Sequence, residues 1–185
     1  MVWIKTIDEE NAEGALKELY TELTKKRGKV SNILKTHSLL PETMKTHLDL
    51  YLSIMFNTSQ LNRQEKELIA IIVSLSNRCK YCVQHHAEAL HHYWKDPSKL
   101  SKLINEHDYS FLLPREQTLA THAEKLTTAP DQIEKDDILL LKDQGFTDEH
   151  ILEITLIASY FNFVNRIALG LNVECSEEEI KGYHY

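Results

Sequence analysis

The chain has 185 residues, enough for one domain with a sizeable core, and 42% hydrophobic with 26% charged residues is the balance of a soluble globular protein. A net charge of −7 with both signs interspersed speaks against nucleic acid as a partner, because no basic stripe offsets the acidity. Five glycines and four prolines are too few to punctuate many short strands, so an all-α fold is expected.

Residues 8–27 are predicted to form a helix. Asp8 can cap it, Lys25, Lys26 and Arg27 fill its last turn, and Gly28 stops it. Ala12, Ala15, Leu16, Leu19, Tyr20 and Leu23 give it one apolar face. A short apolar segment from Val30 to Leu40 leads to Pro41, and a second helix fits 42–57.

Asn62-Arg63-Gln64-Glu65 has the form of a capping box. The helix it opens is charged in its first turns and then apolar on every side from Leu68 to Val73, which marks a buried segment. Glu67 is the last charge before that burial. This run is also the longest apolar one and far too short to span a membrane, and Met1-Val2-Trp3-Ile4-Lys5 leads straight into acidic residues. A cytoplasmic location with no membrane partner is therefore expected. Asn77-Arg78 breaks the pattern, and a helix is expected from about 79 to 94. Asp96-Pro97 opens a short helix, Pro114 starts another, residues 131–144 read as amphipathic, and Thr147 caps a long apolar helix to about Leu169, ended by Gly170.

Shifting the chain by 85 residues lays Leu61–Cys82 on Phe146–Ile167, with Ile69 on Ile154, Ile72 on Ile157, Ser74 on Ser159 and Asn77 on Asn162. Val164 and Ile167 then stand where the first copy has cysteines. The expected organisation is one helical domain over 1–185, with a motif-bearing half about 41–95 and a degenerate second half about 113–170.

The chemistry concentrates in Cys79-Lys80-Tyr81-Cys82-Val83-Gln84-His85-His86. Three cysteines are too few and too odd in number for a secreted disulfide scaffold, and a close pair in a reducing compartment points to catalysis or metal binding. On a helix of 3.6 residues per turn, Cys79, Cys82 and His86 fall within an arc of roughly 60°, and His85 points away from it. Cys79 would lie at the helix start, where free backbone N–H groups and the dipole favour a thiolate. One thiol attacks a peroxide or disulfide, and the second resolves the adduct to an intramolecular disulfide. His86 can carry the proton. Glu67, delivered beside it by the turn at Asn77-Arg78, can orient His86 and raise its basicity.

Competing readings are two cysteines filling the core, a redox-sensing or structural oligomer without turnover, and a zinc site of Cys79, Cys82, His85 and His86. Four ligands within eight helical residues do not easily surround one ion. The eight histidines other than His85 and His86, His47 among them, show no shared spacing and receive no role. Cys175 reads as a packing or exposed thiol, and Arg166 in its apolar helix must find an acidic or backbone partner.

Glu67, Cys79, Cys82 and His86 spell E-x(11)-C-x-x-C-x-x-x-H. This pattern resembles the signature of the alkyl hydroperoxidase D-like (AhpD-like) proteins of the carboxymuconolactone decarboxylase superfamily. The segments Ala15 to Tyr20, Pro41 onward and Asn162 to Ala168 are similar to its peroxidase-related branch. The resemblance implies an AhpD-like helical bundle with internal duplication, assembled as a homo-oligomer, a trimer or hexamer. It implies reduction of an alkyl hydroperoxide or disulfide substrate without cofactor or metal, and re-reduction by a dithiol protein of lipoyl or thioredoxin type. In the implied relay Glu67 and His86 activate Cys82, with Cys79 as its disulfide partner. Helix-start electrostatics favour Cys79 as the attacker; nearness to His86 and the family pattern favour Cys82, which is the expectation taken. The founding branch has a second histidine between the cysteines, where this chain has Tyr81. The decarboxylase branch lacks the cysteine pair, so decarboxylation is not expected.

Overall fold

The computed structural model describes residues 2–59 and 61–180, and no strand occurs among them. In chain order the helices are α1 (Gly14–Arg27), α2 (Asn32–Lys35), α3 (Pro41–Met55), α4 (Arg63–Ser76), α5 (Lys80–Trp94), α6 (Pro97–Ser101), α7 (Pro114–Thr128), α8 (Lys135–Asp143), α9 (Asp148–Gly170) and α10 (Glu177–Ile180). The all-α expectation therefore holds.

The predicted 8–27 helix is shorter than its apolar periodicity. Residues 9–11 form a separate turn of 3-10 helix, and Glu13 is extended before Gly14 at φ +53°, so α1 begins at Gly14. Gly28 ends it at φ +86°, a conformation glycine adopts without Cβ strain. At the far end of α9, Gly170 stays helical and Asn172 takes the left-handed position, at φ +54°.

α4 is the central helix, packed against α5, α7 and α9. Leu68 through Ser74 are 0% exposed. Each of its large aliphatic side chains contributes about 1.5–3 kcal/mol from burial. The charged first turns, which read as a solvent-facing entry, are also buried. Each charge there has a partner on another element or one turn away: Glu65 with Arg115 at 2.8 Å, Lys66 with Glu153 at 2.8 Å, and Glu67 with Arg63 at 2.7 Å. Lys66 Nζ also donates to the Ile54 carbonyl and to Asn57.

The capping boxes at Asn62 and Thr147 both form, 85 residues apart, and open α4 and α9, which lie against each other. Asn77 donates to Asn162 at 2.9 Å, so two residues that the 85-residue shift superposes are in direct contact.

A second apolar cluster ties α1 and α2 to α3 through Leu16, Tyr20, Leu34, Met44 and Leu48. Ile33 and Tyr51 pack against both clusters. A cavity of about 110 Å³ lies along this seam, lined by Leu34 and Leu48 of one cluster and Cys82, Tyr160, Phe161 and Val164 of the other. No helix among the described residues is long and apolar enough to cross a membrane.

Candidate active site

The turn between α4 and α5 presents the cysteines. Arg78 takes a left-handed φ of +57°, and Cys79 N–H donates to the Ser74 carbonyl at 2.9 Å. Asn77 fixes the turn by donating to Val73 O at 3.0 Å, Asn162 Oδ1 at 2.9 Å and Asn165 Oδ1 at 3.2 Å. Cys79 is the residue that caps α5, and Cys82 sits in its first turn. Their sulfurs are 2.8 Å apart, as two thiols sharing a hydrogen bond rather than a disulfide.

The two thiols differ electrostatically. Cys79 is held below the ordinary thiol range because Cys82 donates to it and the backbone N–H groups of Tyr81 and Cys82 face it; burial opposes this. Cys82 is pushed well above that range by its hydrogen bond to Cys79, by burial and by the charge on Cys79, while Asn165 lowers it. Of the two, Cys79 is therefore the readier to lose its proton and Cys82 the readier to keep it.

Glu67 and His86 meet as the sequence predicts. His86 Nδ1 lies 2.7 Å from Glu67 Oε2, and Arg63 Nε donates to Glu67 Oε1 at 2.8 Å. Burial raises the Glu67 carboxyl, but the hydrogen bond and charge of His86 and the charge of Arg63 outweigh it and hold Glu67 below its ordinary value. A carboxylate only accepts, so in the neutral imidazole Nδ1 carries the proton and Nε2 keeps its lone pair. Phe161 packs edge-on to the His86 ring at 4.4 Å between centroids, and Arg63 lies over Phe56 at 3.9 Å.

Cys82, His86 and Glu67 all line the seam cavity. Cys79 does not. It lines a second cavity of about 430 Å³ with Arg78, Gln84, Val173 and Cys175. His85, predicted to point away from the thiols, lines the seam cavity as well. Its Nε2 is 3.4 Å from Glu179 of α10, and burial lowers its pKa. Tyr81, between the cysteines, donates to Glu179 at 2.9 Å and accepts from Ile33 N at 3.1 Å. Arg166 is exposed and donates to the carbonyl and side chain of Asn162. Cys175 is half-buried, and burial pushes its thiol up to about 11.

Sequence reasoning missed Arg63, Asn165, Tyr160, His47 and Glu179 as parts of this region. Asn165 carried a signal, since a fully buried amide in an apolar helix requires partners; it finds Asn77, Ser74 and Cys82. His47 and Glu179 carried none, because their partners are distant in sequence. No cluster of three or more metal-ligating side chains occurs among the described residues.

Residues 41–124, from α3 into α7, match the carboxymuconolactone decarboxylase family. The fold is similar to that of an uncharacterized peroxidase-related protein with an AhpD core from Ralstonia eutropha JMP134, with a TM-score of 0.87 and 23% identity over 97% of this chain and 94% of that one. It is similar also to a peroxidase-related protein from Silicibacter sp. TM1040, with a TM-score of 0.84 and 28% identity over 95% and 94% of the two chains. YdfG, an uncharacterized protein of Bacillus subtilis (strain 168), is 24% identical over 77% of this chain and 95% of its own. Over residues 41–124 the chain is thus similar to the carboxymuconolactone decarboxylase family, and its fold as a whole is that of the AhpD-core, peroxidase-related structures.

Proposed function

We propose that this protein is a thiol-dependent hydroperoxide reductase, or a closely related disulfide oxidoreductase, that uses Cys82 and Cys79 as its redox pair. One observation carries the reading: Cys82 shares a cavity with a His86 already oriented by Glu67, while Cys79 stands 2.8 Å behind it. His86 Nε2 takes one proton from the thiol pair. The remaining proton moves along the sulfur–sulfur hydrogen bond to Cys79, which leaves the thiolate on Cys82. That sulfur attacks the terminal oxygen of the hydroperoxide; an S–O bond forms, the O–O bond breaks, and the electron pair leaves on the alkoxide. His86 returns its proton to the alkoxide and an alcohol departs. Cys79 then attacks the Cys82 sulfenic acid, and its proton leaves with the hydroxyl as water. The sulfur pair is oxidised by two electrons and the peroxide reduced by two.

An external dithiol protein of lipoyl or thioredoxin type would reduce the disulfide, with no metal or cofactor. The second cavity gives such a partner a route to Cys79 separate from the substrate's route to Cys82. A homo-oligomer is part of the same reading. Leu152, Leu156 and Phe163 stand 60%, 45% and 49% exposed on one face of α9, an apolar surface suited to a second copy.

Peroxide consumption with dithiothreitol as reductant tests this. Cys82→Ser and Cys79→Ser are each expected to abolish turnover, and equal activity in the double serine variant overturns the reading. Loss of one equivalent of peroxide with no further turnover in excess dithiothreitol would instead identify a redox sensor.

A further inference from the structure

The α3–α9 wall of the seam cavity holds a polar pair that the Glu67–His86–Cys82 reading leaves unused. His47 and Tyr160 are each 7% exposed, and both line the cavity that Cys82 lines. Tyr160 Oη and His47 Nε2 are 2.8 Å apart. His47 Nδ1 is buried and has no hydrogen-bond partner among the described residues. The flanking groups are His37, whose ring meets that of His47 edge-on at 4.6 Å, and Phe163, tilted against it at 5.7 Å.

Counting protons defines what this pair can do. Burial, helped by His37, lowers His47 to about 4, so its ring is neutral near pH 7 with a single N–H. Burial raises the Tyr160 hydroxyl far above its ordinary value, so it keeps its O–H. The pair thus holds two donor protons, and the bond between them uses one. If Tyr160 donates to Nε2, the Nδ1–H of His47 is spare. If Nε2–H donates to Tyr160, the tyrosine hydroxyl proton is spare. Either way one buried donor is unmet, which costs about 1–3 kcal/mol unless an acceptor occupies the cavity. Leu48, Phe56, Phe161 and Val164 give the cavity apolar walls, beside the charged and polar groups Arg27, Arg63, Glu67, His85 and His86. The volume of about 110 Å³ is of the order of the ~150 Å³ that admits benzene in an engineered cavity.

We propose that the Tyr160–His47 pair is the oxygen-binding donor of this cavity, holding the inner oxygen of an organic hydroperoxide whose apolar alkyl or aryl group fills the remaining space. The proposal deepens the reductase reading and rests on it for the identity of the substrate. While Cys82 forms its bond to the terminal oxygen and the O–O bond breaks, negative charge develops on the inner oxygen. A fixed donor stabilises that charge without reorganisation, and the proton that completes the alcohol still comes from His86. Cys82 and the donor pair then act on adjacent oxygens of one molecule, which favours an organic hydroperoxide over hydrogen peroxide.

The test uses Tyr160→Phe, His47→Leu and the double variant of the full-length protein. Affinity for cumyl alcohol, the product of cumene hydroperoxide, is read from protection of Cys82 against alkylation, which needs no turnover. The double variant is expected to bind the alcohol about 10-fold more weakly, and at least one single variant to reproduce the loss and so name the donor. Turnover of cumene hydroperoxide should fall about 100-fold, the effect of losing one such donor. Exchange with a small disulfide, which has no oxygen leaving group, and Cys82 alkylation without alcohol should stay at the wild-type rate and report an intact site. Unchanged alcohol affinity in the double variant overturns the proposal, whatever the turnover. Absence of hydroperoxide turnover in the wild type overturns the reductase reading, and the alcohol-binding arm still decides the donor pair.

Discussion

At the scale of single residues, the candidate site depends on how one buried carboxylate is divided. Glu67 gives Oε1 to Arg63 and Oε2 to His86. Arg63 holds it ionised, and the ionised form fixes the His86 tautomer. Glu67→Gln keeps the shape and removes the charge. Its amide donates as readily as it accepts, so the His86 tautomer is no longer fixed with its proton on Nδ1. Peroxide turnover is expected to fall about 100-fold or more, the scale of general acid–base catalysis. The check is stopped-flow peroxide loss together with pH-dependent alkylation of Cys82. Glu67 and His86 were legible because their spacing from the cysteines is fixed along the chain. Arg63 was not singled out: as the residue after an N-cap it reads as surface charge, and only the fold places it over Phe56 against Glu67.

At the scale of elements, α4 and α9 form the frame that holds the α4–α5 turn. Polar links join them in an otherwise apolar interface: Asn77 to Asn162 and Asn165, and Asn165 to Ser74, at one end, and Lys66 to Glu153 at the other. Glu153→Gln leaves Lys66 with the Ile54 carbonyl and Asn57 but without its counter-charge. Removing one partner of a buried ion pair costs about 3–5 kcal/mol, and loss of that order is expected in urea unfolding. The double variant Lys66→Met/Glu153→Leu should recover most of it, because an apolar pair has no charge to desolvate. The boundaries of α4 and α9 were legible from capping boxes and uniform apolarity. The start of α1 was not, because Asp8 and the apolar periodicity both continue through a segment that the backbone breaks at Glu13 and Gly14.

At the scale of the whole molecule, the titrating groups of the interior respond to acid with one sign. His47 is lowered to about 4, and His85 and His122 are also lowered, each chiefly by burial. The unfolded chain binds these protons near pH 6.5 and the folded chain does not, so stability is present above that pH and is lost as pH falls toward 4. Glu67 and Glu179 are lowered carboxylates, and their contribution is present above about 4.5 and lost below it. Denaturant midpoints should therefore fall steeply between pH 6.5 and 4, with up to about 3 kcal/mol assignable to His47. His47→Gln should flatten the upper part of that slope. A midpoint independent of pH over this range would contradict the buried, neutral assignment. The exposed face of α9 supplies a second expectation. Leu156→Glu places a charge at its centre and should shift the molecule to a smaller species in light scattering, with helical content unchanged.

By itself the sequence determined the helical class, most helix boundaries and the four-residue motif, because caps, apolar periodicity and close spacing are local properties. It also located the burial of α4, since a helix apolar all round has no other stable place. The tertiary structure decided which sulfur faces which cavity. Cys79 and Cys82 share a helix start, and only packing against α4, α9 and α10 puts Cys82 in the cavity that His86 lines and Cys79 in the one that Cys175 lines. It also brought His47 to Tyr160, 113 residues away, and Glu179 to Tyr81, 98 residues away. No local pattern encodes such meetings, because they follow from how helices cross rather than from how each one forms.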